Sequence, residues 1–312
     1  MASPHGAAVD RSLVEKFLQS CIDSLMSEAT RKMLKNCSSV RPGVKLVELQ
    51  QGIWDDVGVS AEDGRRAVGM IERLYLDDQE ALLALRNEFS NSMDMTYLQC
   101  LKDRRPKSLE KKAKMPKNTV LEFLDACNVK LDMPEIRERL SQRISETGSM
   151  PESLINEVHG EVMELLGFDR VHGQRCFEKL GSTQQYANDR ELAMSFARWR
   201  GKTSNVCLIL LNDYRKGGGE LHVDEEVGNK LVEVQAKEGL DAMSLEERTA
   251  LLEKHAKKVN IFRGLPDDGR KRYLDRLGGQ EKLEFTQTEI LMVTLVQNHQ
   301  QKKPQAADGQ SE

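Results

Sequence analysis

The sequence predicts an all-α protein: two tandem, homologous helical bundles followed by a helical C-terminal extension. Three observations carry this. Residues recur at a nearly constant spacing: Phe17, Leu18, Cys21, Leu25, Arg31 and Leu34 return as Phe123, Leu124, Cys127, Leu131, Arg137 and Leu140, offset by 106. Glu48, Gly58, Gly64 and Arg66 return as Glu157, Gly167, Gly173 and Arg175, offset by 109, and Leu98, Leu101, Asp103 and Arg105 return as Leu208, Leu211, Asp213 and Arg215, offset by 110. A slowly growing offset is what small loop insertions in one copy of a duplicated unit produce. The apolar residues follow the helical period throughout, and no run of period-two alternation is long enough to argue a strand. Finally, Leu, Met, Glu, Lys, Arg and Ala are common, whereas the β-formers Val, Thr and Tyr are few.

Taken in order, residues 1–10 read as a disordered polar tail without the apolar stretch of a secretory signal. The first repeat spans 11–105. Its opening helix carries Leu13, Val14, Phe17, Leu18, Cys21, Ile22 and Leu25 on one face. A second carries Leu46, Leu49, Ile53 and Val57 and is expected to stop at Gly58, with Ser60 capping the next helix. The stretch 106–117 reads as a basic linker. The second repeat, 118–216, begins with Val120, Phe123, Leu124, Cys127 and Leu131 on one face. Ser149 and Glu152 have capping-box spacing in front of Leu154, Ile155, Val158, Val162, Leu165 and Leu166, and Gly167 closes that helix. Asp169 stands where the next helix needs its cap. Gly64 and Gly173 fall inside helices, where glycine costs about 1 kcal/mol relative to alanine. Close helix–helix contact is the expected reason, with a ligand approaching the backbone as the alternative.

Gly217–Gly219 begin a flexible connection over 217–223. The region 224–300 matches neither repeat. Ser244 and Glu247 form a second capping box, and Pro266, Asp267 and Asp268 open a helix that Gly278 and Gly279 stop. A last helix carrying Phe285, Ile290, Leu291, Val293, Leu295 and Val296 is apolar enough to be buried, against the rest of the chain or against a partner. Residues 301–312 read as a second disordered tail.

The run Val158-His159-Gly160-Glu161-Val162-Met163-Glu164-Leu165-Leu166-Gly167-Phe168 resembles the protein C-ten family, small helical proteins without an assigned biochemical activity. In that family an apolar helix carries Gln-Gln-Glu-Val and ends in an aromatic-Gly-Phe, followed by a glycine-containing loop and two more helices. Glu161, Val162, Gly167, Phe168 and Gly173 match; His159 and Gly160 stand where glutamines are expected. The first repeat keeps Gln50, Gln51 and Gly58, with Gly52 for the glutamate and Val59 for the phenylalanine. The resemblance covers both repeats and not the C-terminal third. It implies a cytoplasmic, non-enzymatic helical module and no catalytic residues.

Composition narrows the function further. The 312 residues carry a net charge of −4, so no global field draws the chain to nucleic acid or an anionic membrane. With 5% aromatic residues, stacking platforms for bases are not expected. The apolar stretches 206–211 and 290–296 are too short to span a bilayer. The six cysteines form no C-x-x-C pair and read as reduced thiols of an intracellular protein. Cys21 and Cys127 lie on apolar stripes and read as core. No histidine has the spacing of a metal site or a catalytic dyad, and isolated histidines on charged helices read as solvated. Gly217-Gly218-Gly219-Glu220 lacks the lysine and threonine of a phosphate-binding loop. No catalytic, cofactor-binding or metal-binding residue is therefore expected.

The most distinctive surface feature is the basic run, with Lys102, Arg104, Arg105, Lys107, Lys111, Lys112, Lys114 and Lys117 against Asp103 and Glu110. It reads as a solvated linker or, in the sharper reading, as a contact for an acidic partner or a phosphate backbone. Trp54 reads as core or as an interface anchor. Phe196–Arg200 reads as a helix end that packs one ring and leaves its arginines wet. The leading expectation is a non-enzymatic cytoplasmic scaffold that binds protein partners through helical faces. The alternative is nucleic-acid or acidic-ligand binding through the linker; an enzyme with a site between the repeats ranks third.

Overall fold

The structure, a computed structural model, describes residues 9–36, 41–75, 79–180 and 188–301. Cys37 and both terminal tails, apart from Val9 and Asp10 at the start and Gln301 at the end, lie outside them. Most of the described residues are helical, and among them no strand forms. In chain order the helices are α1 (Arg11–Met26), α2 (Glu28–Asn36), α3 (Pro42–Asp56), α4 (Ala61–Gly69), α5 (Ile71–Leu74), α6 (Gln79–Arg104), α7 (Lys117–Asp132), α8 (Pro134–Thr147), α9 (Glu152–Leu165), α10 (Arg170–Leu180), α11 (Arg190–Lys216), α12 (Glu225–Ala242), α13 (Leu245–Arg263), α14 (Asp267–Asp275) and α15 (Gly279–Gln301).

Equivalent positions of the two stretches have the same local geometry. α1 breaks at Ser27, whose N–H donates to the Ser24 carbonyl at 3.2 Å, and α7 breaks at Met133, whose N–H donates to the Lys130 carbonyl at 3.1 Å. α3 ends at Gly58 (φ 74°), with Gly58 N–H donating to the Asp55 carbonyl and Val59 N–H to the Trp54 carbonyl. α9 ends at Gly167 (φ 86°), with Gly167 N–H donating to the Glu164 carbonyl and Phe168 N–H to the Met163 carbonyl. These paired bonds are Schellman turns, and they require the left-handed residue that only glycine adopts without strain. Ser60 accepts from the Asp63 N–H to start α4. Asp169 accepts from the His172 N–H to start α10.

The helical glycines are explained by packing. A Cβ on Gly64 would overlap the Trp54 indole, and one on Gly173 would stand 2.8 Å from Met163 Sδ. Trp54 and Met163 are themselves equivalent, each ten residues before its glycine. Trp54 is 1% exposed and stacks on Phe17, with ring centroids 3.5 Å apart and planes 9° from parallel. This corrects the interface-anchor reading of Trp54: the notch left by Gly64 takes the indole into the core with Val14, Ile53, Ala67 and Ile71.

Gly167 carries a second constraint. Pro106 Cγ lies 2.5 Å from where its Cβ would be, whereas nothing lies within 4 Å of that position at Gly58. Gly167→Ala is expected to cost the left-handed backbone penalty of about 1–2 kcal/mol plus a steric term, and Gly58→Ala the backbone penalty alone. Urea midpoints of the two variants check this; equal losses would show that Pro106 yields freely.

The chain forms two compact units. One holds the chain up to Arg137 together with Glu152–Thr203; the other holds Glu138–Pro151 together with the chain from Ser204 on. These units cut across the linear division into repeats and extension. In the second unit Leu231 of α12 packs with Ile144, Leu208 and Leu211, and Phe285 of α15 packs with Val259 and Phe262. Ser244 and Glu247 form the expected capping box.

Two expectations are corrected locally. The Ser149–Glu152 box does not form, because α9 starts only at Glu152, after Pro151. Gly148 turns the chain at φ 61°, and Ser149 Oγ donates to Thr147 Oγ1 at 3.0 Å. Residues 217–223 are not a free connection. Gly218 (φ 89°) and Gly219 close a third Schellman turn on Arg215 and Tyr214, the His222 N–H donates to the Gly148 carbonyl at 2.7 Å, and Leu221 and Val223 join the core.

Candidate protein-binding groove

The basic linker is strapped down rather than solvated along its length. Glu110 pairs with the residues flanking Phe168 in one parallel bridge: its N–H donates to the Gly167 carbonyl at 2.7 Å, and its carbonyl accepts from the Asp169 N–H at 2.9 Å. Met115 is buried. Glu110 Oε1 accepts three successive backbone N–H groups, those of Lys111, Lys112 and Ala113, and these bonds hold its carboxyl below the usual range.

Of the basic residues singled out in the sequence, three are consumed by ion pairs. Arg104 faces Glu122 (3.6 Å), Arg105 faces Glu164 (3.5 Å), and Lys117 bridges Asp189 (2.6 Å) and Glu191 (2.9 Å). Their acids come from helices far along the chain, so the pairs were not readable locally. Lys102, Lys107, Lys111, Lys112 and Lys114 are exposed and have no ion-pair partner among the described residues. Five lysines of the run remain unpaired there.

The histidines and aromatics depart further from expectation. His159 is not solvated. Its ring lies among Phe123 and Trp199, at centroid distances of 5.7 and 5.4 Å, and burial lowers its pKa to about 4. Trp199 and Phe196 sit in the body of α11 rather than at a helix end, packed around Phe177. Arg198 stays exposed, as expected, and donates to Asp125 at 3.0 Å. His255 is 1% exposed, with its Nε2 3.0 Å from Glu284.

One cysteine–histidine pair was missed because its spacing is only i, i+4 on a helix whose register the sequence left open. Cys176 Sγ lies 3.5 Å from His172 Nε2. The same nitrogen lies 2.9 Å from the Ala113 carbonyl. A carbonyl only accepts, so in that bond Nε2 carries the hydrogen. Cys21 is core, as expected, and burial pushes its thiol up to about 12. Among the described residues no group of three His, Cys, Asp or Glu is placed to hold a metal ion, and no helix is long and apolar enough to cross a membrane.

An opening lies in the first unit, between the end of α1, α2 and α6. It is a groove of about 620 Å³. Buried Leu25, Leu34 and Cys100 form its floor. Met26 and Met95 stand on its rim, 67% and 59% exposed. Arg31, Asn91, Glu88, Asp103 and Gln99 complete the polar margin. The Ser27 break positions both walls: Ser27 Oγ donates to the Ser24 carbonyl (2.8 Å) and accepts from the Thr30 N–H (3.1 Å), turning α2 away from the axis of α1.

The equivalent residues of the second stretch are bridged. Asp132, at the position of Met26, accepts from Arg137 Nη2 at 3.0 Å and also pairs with Lys202. Arg137 and Lys202 correspond to Arg31 and Ser92 by the offsets of 106 and 110. In the first stretch Met26 supplies no charge and Ser92 is short, so Arg31 has no ion-pair partner among the described residues. The change from Asp132 to Met26 was visible in the repeat alignment; its meaning was not, because it needs the placement of α6 and α11.

Comparison with known proteins returns no match: no protein family, no characterised relative and no solved structure is significantly similar to this chain.

Proposed function

We propose that this chain is a non-enzymatic, cytoplasmic interaction protein whose first bundle receives a helical segment of a protein partner in the α1–α2–α6 groove. The observation that carries the reading is the groove itself. It is apolar on its floor and rimmed by exposed Met26 and Met95, and Met26 stands at the position where the second stretch places the bridging Asp132. Methionine is flexible and polarisable, and it suits surfaces that adapt to an incoming apolar helix face. The shared Schellman turns and helix breaks support reading 11–105 and 118–216 as two copies of one module. A second reading, contact with an acidic ligand, draws on Lys107, Lys111, Lys112 and Lys114, which have no ion-pair partners among the described residues.

The test transplants the bridge. Met26→Asp with Ser92→Lys is expected to link Arg31 across the rim and close the groove, leaving the melting temperature unchanged or raised. A photo-crosslinking side chain placed at Met95 is expected to form adducts with a protein in the otherwise unaltered chain and to lose them in the double variant. Adducts that persist unchanged would defeat the groove as the binding surface.

A further inference from the structure

A cleft of about 320 Å³ lies in the first unit, where α3 and α6 of the first stretch meet α7 and α11 of the second. Small-ligand sites run from roughly 300 to 1,000 Å³. Leu46, Met93 and Val129 give the cleft an aliphatic side.

The charged and hydroxyl donors that line it are engaged. Arg198 pairs with Asp125 at 3.0 Å, Lys202 pairs with Asp132, and the Tyr97 hydroxyl donates to the Glu122 carbonyl at 3.2 Å. Two lining acceptors are not engaged. Asn128 is 8% exposed, and its Oδ1, buried in the cleft wall, accepts no hydrogen bond among the described residues. A buried amide oxygen left unmet is costly and calls for a reason. An asparagine amide turns about a soft terminal torsion, which brings the oxygen round to face the cleft. Asp94 is half-buried and has neither a hydrogen bond nor an ion pair among the described residues. The charged groups that face it are Asp132 and Lys202. Burial and Asp132 outweigh Lys202 and hold its pKa at about 6, the state of a carboxyl short of a counter-charge.

We infer that this cleft binds a small alkylamine, with the ammonium group on Asp94 and Asn128 and the carbon chain along Leu46, Met93 and Val129. An ammonium group has three donors and no acceptor, which suits a site whose unpaired oxygens await donors. An anionic ligand meets no unpaired cation there, because Arg198 and Lys202 are held by Asp125 and Asp132. A neutral apolar ligand leaves Asp94 and Asn128 as they are. None of these residues lines the α1–α2–α6 groove, so the inference stands apart from the reading of that groove.

Calorimetry on the full chain tests it with butane-1,4-diamine as the probe and butane-1,4-diol and pentanoate as the uncharged and anionic counterparts. The diamine is expected to bind and the counterparts to give no heat of binding. Asp94→Asn is expected to weaken diamine binding about tenfold or more, and Asn128→Leu several-fold, since a charge-assisted bond is lost in the first and a neutral one in the second. Carbon NMR of the unaltered chain supplies a readout that a merely structural Asp94 would not move. Its carboxyl is expected to titrate at lower pH in saturating diamine, because a bound cation favours the ionised form. The inference is overturned by the absence of diamine binding, by equal binding of the diol, by undiminished binding in folded Asp94→Asn, or by an Asp94 titration that the diamine leaves in place. Binding of Nα-acetyl-lysine amide with no binding of the diamine overturns it too, since the cleft then takes a lysine side chain of a protein.

Discussion

Trp54→Ala is expected to lower the stability of the first unit by about 3–5 kcal/mol, the range for truncating a large aromatic in a core. Trp54 is 1% exposed, and its ring is sandwiched between the Phe17 face and the Gly64 backbone. Removing it takes away the stacking partner of Phe17 and leaves a void lined by helix backbone at Gly64, which cannot move in to fill it. Neighbouring Ala67 is too small to help. A loss of this size is a large fraction of the 5–15 kcal/mol that holds a domain together. Urea unfolding followed by fluorescence checks it, because Trp199 is then the only tryptophan left. A loss below about 1 kcal/mol would mean the core collapses around the void, against the range seen for such truncations. Trp54→Phe, which keeps a ring on Phe17, is expected to recover part of the stability.

The second large effect is a dependence on pH through His159. Burial lowers its pKa from 6.5 to about 4, so the folded state favours the neutral ring. The stability tied to that neutrality is complete above the unfolded pKa of 6.5 and is lost as pH falls from there through 4. The total is about 3 kcal/mol, from the size of the shift and proton linkage. Asp94 acts in the opposite direction. Burial and the nearby Asp132 raise its pKa to about 6 against the pull of Lys202, so its ionisation opposes folding as pH rises through 6. The two slopes partly cancel between pH 4 and 6. His159→Phe is expected to leave a chain that gains stability on mild acidification, and Asp94→Asn one that loses it more steeply than the unaltered protein. Unfolding midpoints for the three chains across that range decide the matter; parallel curves would exclude both groups as the cause.

The helices were legible because the apolar stripes of α1, α3, α7 and α9 are regular and because Ser60, Asp169 and Ser244 sit where a helix start needs an acceptor. Gly58, Gly167, Gly64 and Gly173 were legible for the same reason: each breaks a rule that only a turn or a close approach excuses. What stayed hidden depends on partners distant in the chain. His159 looks exposed on its own helix, and only Phe123 and Trp199 bury it. Arg105 and Lys117 look free in their run, and only Glu164, Asp189 and Glu191 engage them. The groove was hidden for a subtler reason. It is defined by a bridge that is absent, and an absence shows only beside the stretch in which Arg137, Asp132 and Lys202 make it.

The interleaving of the two units sets an order on biosynthesis. The first unit needs Glu152–Thr203, and the second needs Glu138–Pro151 together with residues from Ser204 on. During translation the first unit therefore stays incomplete until Thr203 has emerged, and Glu138–Pro151 waits, made but without its core partners, until the last third of the chain arrives. Ile144 of that waiting segment, fully buried at the end against Leu208, Leu211 and Leu231, spends the interval without them. A ribosome that pauses between these points holds a half-assembled protein with exposed aliphatic surface, so the tempo of synthesis becomes part of how this molecule reaches its fold.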